Sequence, residues 1–265
     1  MRITVFTSNQ SRHLHLLSIL SGVADVCYAV VESNTVFPGR INDFYKKSKV
    51  MQDYFINVLA AENKYFGNIS FLPDNIHPLV IKMGDLNYLS KDILESSLHS
   101  DLYVVFGASY IKGWLAEYLI SKKAINIHIG TSPYYRGSSC NFWALYDSNP
   151  HLVGSTIHLL SSGIDNGPIL YHALPKLIDE SPFEFTMKSV YAAHISLAKK
   201  IDDGSIFDME PINQDPQSQI RYSKNSDFTD SIVNEYLSRD LTNLVTKELI
   251  SKKMTKDLFI KPVFI

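Results

Sequence analysis

Short apolar runs alternate with helix-period segments along the first half of this chain, and that alternation restricts its fold more than any other feature. Arg2–Phe6, Val26–Val31, Leu79–Ile81, Asp101–Phe106 and Ile125–Ile129 read as strands. Between them lie an amphipathic pattern through Leu14, Leu17, Ile19 and Leu20, a long one from Phe44 to Phe66, a helix over Ser90–Leu98 with Ser90 as its cap, and another over Tyr110–Ile120. The long pattern places Tyr45, Val50, Phe55, Val58 and Leu59 on its buried stripe. Leu102–Phe106 is apolar on both faces and ends at Gly107, as a strand covered by helices on both sides must be. The spacing predicts an α/β fold, a doubly wound, mostly parallel (Rossmann-like) sheet. In such sheets ligands bind beyond the carboxyl ends of the strands.

Further along, Val153–Leu160 and Ile169–Leu174 form a candidate strand pair, and Phe183–Asp203 a strong helix. After Gln214 the chain becomes more polar. Gln214–Gln219 reads as a linker, Asp230–Leu241 as a weak helix and Phe259–Ile265 as a terminal strand. The division expected is a catalytic domain over residues 1–204 and a small C-terminal extension over 205–265.

With 265 residues, 45% of them hydrophobic, the chain can bury a sizeable core. Its formal charge of −2 gives no basic excess for a phosphate backbone, so no nucleic-acid partner is expected. Cys27 and Cys140 are too few for a disulfide framework and fit a reducing compartment as small buried residues. Asn9–Arg12, His13 and His15 interrupt the first apolar run before a signal segment can form, and no 18-residue apolar stretch follows. The expectation is a cytoplasmic protein with no membrane partner. His13 and His15 lie about 200° apart on a helix, so no metal site is expected.

Candidate chemistry is concentrated between Ile125 and Leu170. Strand alternation puts Asn126 and His128 on one face. The turn-rich loop Thr131–Gly137 follows, and the glycines of Ser162–Pro168 let a second loop approach a ligand and bring Asp165 toward His128. His158, on the neighbouring strand, reads as structural.

Asn126-Ile127-His128, Pro133-Tyr134-Tyr135-Arg136-Gly137, Thr156-Ile157-His158 and Gly163-Ile164-Asp165-Asn166-Gly167-Pro168, in that order, resemble the core signature of the folate-dependent formyltransferases over the first two thirds of the chain. One departure is Gly130-Thr131-Ser132-Pro133, where many members read Ser-Leu-Leu-Pro. The resemblance implies 10-formyltetrahydrofolate as cosubstrate and no metal. It assigns Asn126 to the oxyanion, His128 to proton exchange, and Asp165 to orienting the imidazole or relaying the proton through water. It places the pterin between Phe106, Gly107, Ser109, Tyr110 and Ile111 on one side and Ser161, Gly163 and Asp165 on the other. Without it, the first of these segments is an ordinary strand-to-helix turn.

The loop Ser8-Asn9-Gln10-Ser11-Arg12 opens the first helix, where free N–H groups and the Arg12 charge suit a phosphate. It resembles that of sugar N-formyltransferases, which act on nucleotide-linked amino sugars. Tyr134, Tyr135 and Arg136 then line the approach to His128. The implied activity is formyl transfer to a dTDP- or GDP-linked dideoxyamino sugar for O-antigen or lipopolysaccharide biosynthesis, by a protein that leaves room for a homodimer. Methionyl-tRNA and glycinamide ribonucleotide formyltransferases, formyltetrahydrofolate hydrolase and a non-catalytic nucleotide-binding protein are the alternatives.

Overall fold

The computed structural model describes residues 1–36, 40–41, 44–67, 71–177, 180–252 and 256–265. Its centre is an eight-stranded sheet. In chain order the strands are β1 (Arg2–Ser8), β2 (Val26–Ser33), β3 (Ile76–Lys82), β4 (Leu102–Val105), β5 (Ile125–His128), then β7 (Ser155–Leu159), β8 (Ile169–Leu174) and β10 (Val263–Phe264). The strand between β5 and β7, β6 (Tyr135–Gly137), pairs outside this sheet with β9 (Arg221–Ser223). The spatial order is β10-β8-β7-β5-β4-β1-β2-β3, and only β7 runs against the rest. This is the doubly wound, Rossmann-like arrangement predicted from the alternation.

The helices used below are α1 (Ser11–Ser21), α2 (Lys49–Phe66), α3 (Gly113–Ser121), α4 (Cys140–Tyr146), α5 (Pro182–Asp202), α6 (Asp230–Ser238) and α7 (Leu241–Lys252). Strand alternation feeds two cores. β1 sends Ile3 and Val5 into the layer containing Leu17 of α1 and Leu197 of α5, and Phe6 into the opposite layer with Leu115 and Leu119 of α3. A third cluster joins Trp143 of α4 to Tyr236 of α6 and Val245 of α7. α5 starts sharply because Pro182 fills its first turn and Ser181 and Glu184 cap each other, Glu184 N–H donating to Ser181 Oγ (3.3 Å) and Ser181 N–H to Glu184 Oε2 (2.9 Å).

The structure differs from the sequence expectations at four places. The pattern from Phe44 to Phe66 is a 3-10 turn over Phe44–Lys46 followed by α2, which Ser48 caps by accepting from Met51 N–H. Ala61, Glu62 and Phe66 are its buried residues, while Val50, Phe55, Val58 and Leu59 are half-buried and the Tyr45 side chain lies outside the described residues. The reason is that the first half of α2 joins an aromatic cluster through Tyr54, which meets Phe142, Phe183 and Phe228. Ser90–Leu98 divides into one α-turn and one 3-10 turn, with no side-chain cap from Ser90. α3 starts at Gly113, not Tyr110, because Gly107 and Gly113 both take positive φ (67° and 63°) and hold the intervening residues as a loop. Residues 214–219 do not run free. Ile212 forms a two-way backbone bridge with Ile169, and β9 docks against β6.

Candidate active site

Beyond the carboxyl ends of β4 and β5 lies a cavity of about 230 Å³. Ser109, Tyr110, Ile111, Ser161, Gly163 and Asp165, the residues the resemblance groups together, line it, and Asn126 and His158 form its floor with Val105 and Leu160. Phe106 and Gly107 do not reach it. Alternation turns Phe106 to the other face, against His13 and His194, and the His13 ring occupies the space beside Gly107, where an added Cβ would fall 2.2 Å from Nε2. The loop is fastened from below by Glu32, a fully buried carboxylate at the end of β2 that accepts from Gly84 N–H (2.8 Å) and Ser109 N–H (2.5 Å). Across the mouth the Tyr110 hydroxyl donates to the Ser162 carbonyl (2.8 Å).

Asn126 stands opposite His158 in the β5–β7 register, and the side chains meet at 2.9 Å. The orientation of the amide follows from the acceptors around it. His158 Nδ1 faces the Leu159 carbonyl (2.8 Å), so that nitrogen carries the proton, and burial holds the ring neutral by lowering its pKa to about 4. Nε2 is then an acceptor, and the Asn126 amide must donate to it. One amide hydrogen is spent on His158. The second and the carbonyl oxygen remain for the cavity.

His128, opposite Thr156, is buried and does not line the cavity. Its Nδ1 meets Asp165 Oδ2 at 3.3 Å and its Nε2 meets the Tyr135 carbonyl at 3.1 Å. Both partners are acceptors, so each ring nitrogen faces a group that can receive a hydrogen bond from it. Asp165 also accepts from Gly137 N–H through Oδ2 (3.1 Å), which makes it the link between the cavity and the imidazole. Gly130 explains the unusual loop sequence. A Cβ there would lie 2.4 Å from Cys140 Cβ and 2.5 Å from His128 Nε2, so any side chain at this position would displace one of them.

The loop after β1 is largely committed to the protein itself. Ser8 Oγ donates to the Glu32 carbonyl (2.9 Å), Asn9 bonds Ser33 and the Asn34 N–H, Gln10 is the N-cap of α1 and Ser11 its first residue. Arg12 is not an unpaired cation. Its backbone N–H and its guanidinium both bind Glu62 of α2 at 3.0 Å, and Glu62 is buried. Sequence spacing did not place an acid there because Glu62 comes from a helix fifty residues away. Tyr134 donates to the Leu258 carbonyl (2.9 Å), whereas Tyr135 is buried with its hydroxyl among Asp147 and Asn149 and offers the site only its carbonyl. Arg136 donates to the Ile164 carbonyl (2.9 Å) and to Gln219 (3.1 Å), bridging two loops at the rim. Glu32 and Glu62 were missed by sequence reasoning, whereas His158, read as structural, holds the Asn126 amide. Among the described residues there is no cluster of metal-ligating side chains and no helix long and apolar enough to cross a membrane.

No family profile and no curated protein matches the sequence. Solved structures do. A 4-N formyltransferase from Francisella tularensis aligns with 86% of this chain and 77% of its own at 19% identity and a TM-score of 0.52. An N-formyltransferase from Helicobacter canadensis, in complex with folinic acid and dTDP-3-aminofucose, aligns with 95% of this chain and 81% of its own at 13% identity and a TM-score of 0.52. Phosphoribosylglycinamide formyltransferase from Anaplasma phagocytophilum aligns with 84% of this chain and 98% of its own at 17% identity and a TM-score of 0.51. The chain therefore has the fold of the folate-dependent formyltransferases, and sugar N-formyltransferases predominate among the structures it resembles.

Proposed function

We propose that this protein transfers the formyl group of 10-formyltetrahydrofolate to the amine of a nucleotide-linked dideoxyamino sugar. The observation that carries the reading is the convergence of Asn126 and Asp165 on one cavity, with His128 behind Asp165, in a chain of formyltransferase fold. The cavity fits a flat heterocycle: Val105, Ile111 and Leu160 supply apolar walls, and Asp165 with loop backbone supplies a polar edge. The formyl group is then carried toward Asn126.

The second amide hydrogen of Asn126 faces the carbonyl oxygen as the amine adds, and a donor so placed supplies about 3 kcal/mol to the tetrahedral oxyanion. His158 keeps that amide from rotating. Asp165 accepts the proton the attacking amine must lose, and His128 stabilises the carboxylate through Nδ1. The same pair returns the proton to the folate nitrogen as the carbon–nitrogen bond breaks. Tyr134 and Arg136 flank the acceptor side. Neighbours crystallised with dTDP-3-aminofucose, with dTDP and with a UDP-linked dideoxy sugar support a nucleotide-diphosphate amino sugar as the acceptor class.

The test is turnover by variants at saturating folate. Asp165→Asn and Asn126→Ala are each expected to lower kcat by roughly a hundredfold with little change in folate affinity, since each acts on the transition state. Near-normal kcat in either purified variant overturns the assignment.

A further inference from the structure

Asp165 is held in a backbone conformation that few non-glycine residues adopt. Its φ of +51° lies in the left-handed region, which Asn and Asp enter more readily than other non-glycine residues and where the surroundings must hold it. Much of the restraint comes from the far end of the chain. The Gln214 side-chain Nε2 donates to the Asp165 carbonyl (2.9 Å) and to the Gly167 carbonyl (2.8 Å), so its two hydrogens bridge both ends of the turn that carries the carboxylate. The amide orientation is fixed, because the flipped form would set its oxygen against two carbonyl oxygens. Gln214 is itself delivered by a rigid element. Two residues earlier, Ile212 exchanges backbone hydrogen bonds with Ile169 (2.7 and 2.8 Å), tying the segment to the start of β8.

We propose that Gln214 is a positioning residue for Asp165: a segment that reads as a linker sets the angle at which the carboxylate meets both His128 and the cavity. This rests on the catalytic reading above. It follows from geometry because Asp165 has no helix or strand of its own. Ser132 Oγ adds one bond to the same carbonyl at 3.2 Å, and Gly137 N–H holds the carboxylate. With Gln214 removed, the Asp165–Gly167 turn loses the amide that clamps it, and φ relaxes toward negative values. The carboxylate swings away from His128 Nδ1, a contact that is already 3.3 Å long.

The experiment compares Gln214→Ala and the near-isosteric Gln214→Glu with Gln217→Ala, an exposed neighbour on the same segment. Both Gln214 variants are expected to lose about ten- to a hundredfold in kcat, the scale of a reacting group misplaced by about an ångström, with KM for folate and amino sugar within about twofold of wild type. Gln217→Ala should match wild type. In the Asp165→Asn background, Gln214→Ala should cost nothing more, since it acts through the group already removed. Independent multiplication of the two losses overturns the proposal, as does a parallel loss of melting temperature, KM and kcat. An arm free of turnover separates this from failure of the functional reading. In protein carrying ¹⁵N-histidine, the ring nitrogens of His128 should shift in Gln214→Ala as they do in Asp165→Asn. A His128 signal that Asp165→Asn moves and Gln214→Ala does not overturns the proposal whether or not formyl transfer is observed.

Discussion

Acid should unfold this protein steeply, because four fully or nearly fully buried histidines are held neutral. His13, His158, His172 and His194 all have pKa values lowered by burial, to about 4 for His158 and His172. His172 gives the reason in hydrogen bonds: Nε2 faces the Ser132 carbonyl (2.8 Å) while Nδ1 accepts from Ile260 N–H (2.9 Å), so a second proton breaks the bond to Ile260. The folded values lie below the unfolded value of 6.5, so the unfolded chain binds more protons. The stability is therefore complete above pH 6.5 and lost as pH falls toward about 4. At pH 5 each of His158 and His172 costs RT ln(1 + 10^1.5), about 2 kcal/mol, and the two together about 4 kcal/mol, with His13 and His194 acting in the same direction. That is a large share of the stability of a domain, about 5–15 kcal/mol. Urea unfolding followed by circular dichroism between pH 7.5 and 5 measures it. A loss of at least about 4 kcal/mol is expected, and His172→Gln should remove about 2 kcal/mol of it. A change below about 2 kcal/mol over that range would refute the account of these rings.

Arg12→Ala is expected to lower stability by about 3–5 kcal/mol, because it strands the buried Glu62 carboxylate, and the denaturation midpoint checks this. A variant of normal stability with a raised KM for nucleotide-sugar would show that the arginine serves the substrate instead. Glu32→Gln replaces one of two acceptors beneath the Ala108–Ile111 loop with a donor. It should raise KM for 10-formyltetrahydrofolate about tenfold with kcat little changed. Steady-state kinetics decide, and an unchanged KM removes Glu32 from the site.

The sheet was legible because its strands announce themselves: Leu102–Val105 is apolar on both faces, and Gly107 ends the run where the chain turns. The proximity of Asn126, His128 and Asp165 was legible for a related reason. Two of them sit two apart on a strand, and the third lies on a glycine-flanked turn returning on the adjacent hairpin. What stayed hidden depends on contacts between distant segments. Glu62 meets Arg12 across fifty residues and Gln214 meets Asp165 across forty-nine, and no local pattern encodes either pairing. Phe106 was misplaced for a subtler reason. It belongs to the same apolar run as Val105, but successive residues face opposite sides, and only the register of the sheet decides which one meets the cavity.

The central claim is chemical, and mass spectrometry of products tests it most directly. Wild-type protein, 10-formyltetrahydrofolate and a panel of dTDP-, GDP- and UDP-linked amino sugars should give one nucleotide-sugar heavier by a single formyl group, in step with tetrahydrofolate release, and Asp165→Asn should slow both by roughly a hundredfold. Tetrahydrofolate released with no formylated sugar would contradict the acceptor, and no turnover of the folate with any amine would contradict the transfer itself.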